Sequence, residues 1–464
     1  MTPSVARTAR WAVGGLAAAT AAAAVVALTV VGLPGVPRES ISVLAQPPAT
    51  PAVAACAGPL LATGRDPGRA AALEDAAAPA VVAASADGSA PAERRLTAPD
   101  VTNGAGADVR VATPDGDEPN DVAAASSARA ADADLAGFAA SACSRPAMES
   151  WLVTGAATTG ASDLVVLSNP GDVPALVTLT LFGATGETAP AAGADIVVAA
   201  GTQRVIPLAA LALGEENPVV RVTAAQTPVA ASLQSSLTRV LDPGGVDQSA
   251  AVGAPSDEIV IPGVAVTLPP GESGSSEVST TLRLLAPASD GTATVTVTKD
   301  GASDGASQDV PLTAGIPLQL DLPGLAVGTH TVTIRATTPV TGAVWSVTGF
   351  GAGSDFAWYT PAPRLTAETL AAVADGPGAT LTLAASGDAD QTVTVLAPGG
   401  TSRDVTVPAG RSASVAVDAG SVLRLVPNGD GVFAAISYAG TGALAGYPVP
   451  AGDAAASAIE VYPR

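Results

Sequence analysis

The stretch Thr294-Val-Thr-Val-Thr-Lys-Asp300, with its near copy Thr392-Val-Thr-Val-Leu-Ala-Pro-Gly-Gly400, decides how this chain reads. Successive side chains of a strand point to opposite faces, so the valines fall on one side and the threonines on the other. Threonine suits a strand through its β-branch and tolerates solvent through its hydroxyl, which leaves the valine row to pack against an opposing sheet. Burying one valine stabilises by very roughly 1.5 to 3 kcal/mol, so about a dozen per domain offset much of the ordering cost. Outward from these stretches, the chain after Cys143 consists of short alternating runs punctuated by Gly, Pro, Asn or Asp. That is the pattern of a β-sandwich.

The same phrases recur three times. Leu164-Val-Val-Leu-Ser-Asn-Pro170, Thr281-Leu-Arg-Leu-Leu-Ala-Pro287 and Thr380-Leu-Thr-Leu-Ala-Ala385 open successive copies. Ala254-Pro255, Pro361-Ala-Pro363 and Pro448-Val-Pro450 close them. Repeats of about a hundred residues mean tandem domains, because solenoid units are typically about 20 to 50 residues. The expected fold is therefore all-β: three tandem immunoglobulin-like or fibronectin-like sandwiches over 141–257, 258–364 and 365–464, preceded by one transmembrane helix and a low-complexity spacer.

Composition narrows the functions. The net charge of −21 opposes gripping a phosphate backbone, which needs clustered Lys and Arg, so nucleic acid is excluded as a partner. Hydrophobic residues make up 48% but aromatics only 3%, so any core is built from small aliphatic groups. Membrane attachment would have to come from an apolar segment, since an acidic surface repels anionic headgroups.

Arg7 and Arg10 precede the uncharged run Trp11 to Leu33, which as a helix spans about 34 Å. The positive-inside bias leaves 1–10 in the cytoplasm and sends the bulk of the chain out, giving a single-pass membrane protein anchored through 11–33. A cleaved signal peptide, and hence a secreted protein, is the competing reading. Cys56 and Cys143 both lie in the exported part, where oxidising conditions permit a disulfide, and they are expected to pair. Val53-Ala-Ala-Cys56 has the look of a lipoprotein box, but Arg38, Glu39 and several prolines separate it from the apolar run. Residues 34–140, rich in Ala, Pro, Asp and Ser, read as an extended or disordered spacer, with 52–61 as a candidate strand added to the first domain.

Cys56-Ala-Gly-Pro-Leu60, Cys143 followed by Glu149-Ser-Trp-Leu152, and the run Leu164 to Gly186 together resemble a family of exported proteins of unknown function from high-GC Gram-positive bacteria. The resemblance implies a membrane-tethered extracytoplasmic protein and brings no functional residues with it.

Residues that could carry chemistry are few. His330 is the only histidine, which excludes multi-histidine metal sites; in phase with Val332 and Ile334, it reads as a strand-edge imidazole. Gly301-Ala-Ser-Asp-Gly305 matches G-x-S-x-G but sits in a polar loop, not between a strand and a helix. The acidic run Asp115 to Asp121 lacks calcium-loop spacing. No catalytic residue, metal or cofactor is expected. The one constellation that stands out is Trp345, Phe350, Phe356, Trp358 and Tyr359, five of only thirteen aromatics. They either fill a domain junction or form a platform for sugar rings. The expected function is a non-catalytic cell-envelope protein in a structural or protein-interaction role, with an unknown envelope protein as partner; the alternative is an array of carbohydrate-binding modules that hold a cell-wall glycan.

Overall fold

In the computed structural model, the strand Gly291–Lys299 buries Ala293, Val295 and Val297 and turns its threonines outward. Gln391–Leu396 does the same with Val393 and Val395. The structure describes residues 5–30, 42–45, 48–65, 68, 71–116, 118–270, 278–302, 304–452 and 459–462. It divides into two units, Met1–Pro47 with Ser457–Arg464, and Pro48–Ala456.

In the first unit a helix runs Val5–Val30, and Val43–Ala45 pairs antiparallel with Ile459–Val461. Among the described residues no helix is long and apolar enough to cross a membrane. Residues 31–33 of that span lie outside the described residues.

The second unit is built of paired sheets in a β-sandwich-like arrangement. In the first pair, Glu149–Leu152, Val219–Ala225 and Ala175–Gly183 face Asp242–Ala250, Ala230–Arg239, Leu164–Asn169 and Thr202–Pro207. Leu167, Val177, Leu179, Val222 and Leu233 fill the space between. In the second, the twenty-residue strand Gly328–Val347 serves both sheets. Its first half pairs with Ser256–Val266 and Gly291–Lys299, its second half with Thr280–Leu285 and Phe356–Tyr359. One strand turning the corner closes the layers over Ile261, Leu282, Val295 and Ile334. In the third, the sheet of Val432–Gly440 and Thr380–Ala385 faces that of Ser421–Pro427 and Gln391–Leu396 across Leu381, Val393, Leu425 and Ile436.

The spacer expected over 34–140 is folded over most of its length. Ala92–Thr97, Ala105–Ala112 and Ala52–Ala55 extend a sheet of the first pair to seven strands. The candidate strand within 52–61 thus joins that sheet at its edge, through Ala105–Ala112. Ala80–Ser85, Val122–Ala131 and Ala136–Ala142 form a separate sheet whose Ala123, Ala125, Phe138 and Ala140 enter the core of the third pair. Alanine is depleted in strands generally, so these segments carry no strand signal by composition. Their small side chains are what allow sheets to approach closely, and Ala125, Ala139 and Ala140 are wholly buried. The peptide 57–61 is held by amides: Gln234 exchanges hydrogen bonds with the Leu61 backbone at 2.9 and 2.7 Å, and Gln203 donates to Ala57 O at 3.1 Å. Cys56 and Cys143 form the expected disulfide, flanked by reciprocal backbone bonds between Ala55 and Ser144.

Asp355 ties the modules together. Its buried carboxylate accepts backbone N–H groups of Phe138 (2.9 Å), Leu444 (3.1 Å) and Val246 (3.2 Å), from the N-terminal sheet, the third module and the first. Gly137 and Gly245 permit this approach: both have positive φ, 148° and 123°, and a Cβ on either would lie within 2.7 Å of Asp355 Oδ1.

Replacing Asp355 by Asn sets an amide N–H against these donors and should cost on the order of 3 kcal/mol, read as a lowered denaturation midpoint. Opening the disulfide, by C56S/C143S or by reductant, frees a loop of 87 residues. It should cost roughly 4 kcal/mol, measured by thermal unfolding with and without reductant.

Candidate functional site: an aromatic cleft between two modules

The strand Phe356–Tyr359 alternates, so Phe356 and Trp358 share one face while Ala357 and Tyr359 share the other. Tyr359 and Ala357 belong to the core of the second module. Phe356 and Trp358 face the first module, where Trp151, Val153, Phe182 and Val219 pack near them with Leu285, Ala343 and Val347. Register extends this outer face. Trp345 lies opposite Trp358 and Thr281 opposite Trp345, while Asp321 pairs with Thr281 and Gln319 with Arg283. Part of the face is covered by the first module; the rest lines a cleft of about 430 Å³, a size typical of small-molecule sites.

Of the five aromatics singled out from the sequence, Trp345, Phe350, Phe356 and Trp358 line this cleft. Trp345 and Phe350 are half-buried; Phe356 and Trp358 are nearly covered, and Tyr359 points away into the core. Trp345 and Phe356 stand 6.3 Å apart, and Arg239 lies 5.3 Å over the Phe350 ring. The reading as junction filler and the reading as a platform each describe part of this set.

Arg283 lies on the floor, 2% exposed, its guanidinium 4.7 Å over the Trp358 ring. Nη1 donates to Gly155 O (2.7 Å) and Pro218 O (3.0 Å), and Nη2 to Glu216 O and Asn217 Oδ1, both at 3.2 Å. Nε is buried and has no partner among the described residues. Asp163 also lines the cleft, accepting Ala156 N at 2.7 Å and Ser236 N at 3.0 Å. Burial pushes the Asp163 carboxyl up to about 7 and, despite the attraction of Asp163, the Arg283 guanidinium down to about 9. Asp247, wholly buried and also pushed up by desolvation, accepts Trp358 N at 2.8 Å and fixes the aromatic strand.

A larger groove of about 680 Å³ lies where the three proline-terminated strands meet, at Pro361, Pro363, Pro448 and Pro450. Its charged groups are already engaged: Glu258 with Arg335 and Arg364, both at 2.9 Å, Arg145 with Asp121, and Glu149 with the Trp151 indole. The aromatic cleft, lined by four of the chain's scarce aromatics, is the better candidate.

The other sequence candidates resolve locally. His330 is buried opposite Lys299, Nδ1 3.2 Å from Gly328 O, and burial lowers its pKa. Ser303 lies outside the described residues, and Gly305 leads into the strand Ala306–Leu312, not into a helix. Asp115 and Glu118 pair through their backbones in a turn. Among the described residues no three His, Cys, Asp or Glu side chains group to hold a metal ion.

Arg283, Asp163 and Asp247 were not singled out from the sequence. A signal existed, an arginine between apolar residues, but it occurs at Arg221, Arg283 and Arg424 alike, and only Arg283 is buried.

Fold and cleft together define an all-β, β-sandwich-like protein with an aromatic site between two of its modules. The chain belongs to a family of unknown function, DUF5719, whose model matches residues 98–418. That match begins just after Ala92–Thr97, within the Ala-rich strands, and ends inside the third sheet pair, so it spans more than one sandwich. No curated protein matches the chain.

Below about pH 4 Asp163 is protonated both folded and unfolded; from there to about 7 only the folded state keeps the proton, so stability falls as pH rises. Asp355, raised to about 7 by burial, and Asp247 act in the same direction. The melting temperature should therefore be higher at pH 5.5 than at pH 8. Asp163→Asn should narrow that difference in calorimetry.

Proposed function

We propose that this chain is a non-catalytic cell-envelope protein whose immunoglobulin-like or fibronectin-like modules serve a structural or protein-interaction role outside the cell. The N-terminal helix, with Arg7 and Arg10 ahead of an uncharged run, is the element that exports the chain and holds it at the membrane, or releases it if cleaved. The observation that carries the reading is the fastening of the modules: Asp355 and Arg283 each bridge modules through buried hydrogen bonds. Modules joined in this way present fixed surfaces to a partner, whereas flexible tandem domains would not. The disulfide also suits an oxidising compartment.

A second reading, glycan binding, is favoured by the four aromatics that line the cleft.

Cross-linking the tagged full chain in native envelopes, then identifying captured proteins and polysaccharides, tests the choice. A specific protein captured at constant ratio is the expected result. Polysaccharide without protein would transfer the weight to the second reading, and neither would remove support for both.

A further inference from the structure

The strand that carries Phe356 and Trp358 into the cleft is fastened to the first module by a reciprocal pair of bonds. Asp355, just ahead of Phe356–Tyr359, accepts Val246 N at 3.2 Å, and Asp247, on Asp242–Ala250, accepts Trp358 N at 2.8 Å. Gly245 lets the two backbones come together, since a Cβ there would lie 2.9 Å from Phe356 N. Asp247 is 1% and Asp355 0% exposed, and among the described residues neither is ion-paired with a cation. Ser235 stands directly opposite Asp247 across the strand pair, and Tyr359, its hydroxyl pushed up by burial and then by the two carboxyls, lies beside them. The charged and titratable groups of neighbouring elements are engaged elsewhere: Arg239 with Gly349 O, Arg129 over the Phe138 ring, Arg283 with backbone carbonyls, Tyr447 with Tyr438.

Two buried carboxyls without a countercharge resist ionising together, and their hydrogen bonds divide the roles. Asp355 accepts three N–H groups and so suits the charge. Asp247 accepts Trp358 N, while its Oδ1 is buried without a partner, an environment that favours the neutral acid. Desolvation first, and the charge of Asp355 after it, raise Asp247 well above the carboxylate range, whereas Asp355 rises to about 7. We propose that Asp247 and Asp355 form a proton-operated clasp on the aromatic cleft, closed while Asp247 holds its proton and opened with the loss of that proton. Ionised Asp247 would set a second negative charge against Asp355, which is relieved when the two strands part and water enters. Arg283 keeps its own bonds on the other flank, so the opening is confined to the side that carries Phe356 and Trp358.

Once water reaches Asp247 its carboxyl returns to the ordinary range, so opening releases one proton and becomes about tenfold more favourable per pH unit. Hydrogen exchange of the full chain between pH 7 and 8.5, corrected for intrinsic rates, reads this directly. That window lies above the values of Asp163 and Asp355 and below that of Arg283, which leaves Asp247 to set the slope. Amides of 242–250 and 356–359 should lose about tenfold in protection per pH unit and exchange ahead of the core strands Gly291–Lys299 and Gln391–Leu396. Asp247→Asn keeps an acceptor for Trp358 N and cannot ionise, so the slope should vanish. A wild-type protein with no slope, exchange of all four segments together as one global event, or a variant that keeps the slope would each overturn the proposal. If the variant does not fold, the comparison of the four wild-type segments decides.

Discussion

A buried carboxylate that accepts from three separate segments, Asp355, is the constraint on which the second unit depends. Removing a carboxylate from water costs several kcal/mol, which hydrogen bonds to it offset in part, leaving the Asp355 carboxyl raised to about 7. Those bonds come from main-chain N–H groups of Phe138, Val246 and Leu444, which lie far apart in sequence. The low-energy state of Asp355 therefore exists only when the N-terminal sheet, the first module and the third are all in place. Sheet pairs with separate cores can in principle move independently; here a shared carboxylate, and the glycines that let the backbone reach it, couple them.

Arg283 performs a related task between the first and second modules. Its four Nη bonds go mainly to carbonyls, so the charge is solvated by backbone dipoles, and the countercharge of Asp163 acts without a direct hydrogen bond to it. Stacking on Trp358 covers one face of the guanidinium. What remains is Nε. A junction needing only strength could have used apolar side chains of the same volume, often at no loss of stability. The Arg283 Nε is covered by protein and has no partner among the described residues, so the junction carries one buried donor unmade.

The strands of the three modules were legible because valine and threonine alternate over runs such as Thr294 to Thr298, and burial follows that alternation. The strands of 52–142 were not, because alanine carries almost no periodic contrast: Ala124 and Ala125 are adjacent, point to opposite faces, and are both buried. The disulfide was legible because Cys56 and Cys143 are the chain's only two cysteines. Of the site, the aromatics were visible as a local concentration, but their division was not: Tyr359 turns into the core while Trp358, one residue away, faces the cleft.

By itself, the sequence determined the all-β class, the repeated strand pattern, the cysteine pair and the aromatic concentration, because each rests on local periodicity or on scarcity of a residue type. Only the tertiary structure decided which of three similar arginines is buried, where Asp163 and Asp355 find their donors, and that an Ala-rich stretch completes two sheets. The reason is physical: burial, desolvation and hydrogen-bond satisfaction depend on segments far apart in the chain, and a residue's sequence neighbours carry no record of what is packed against it.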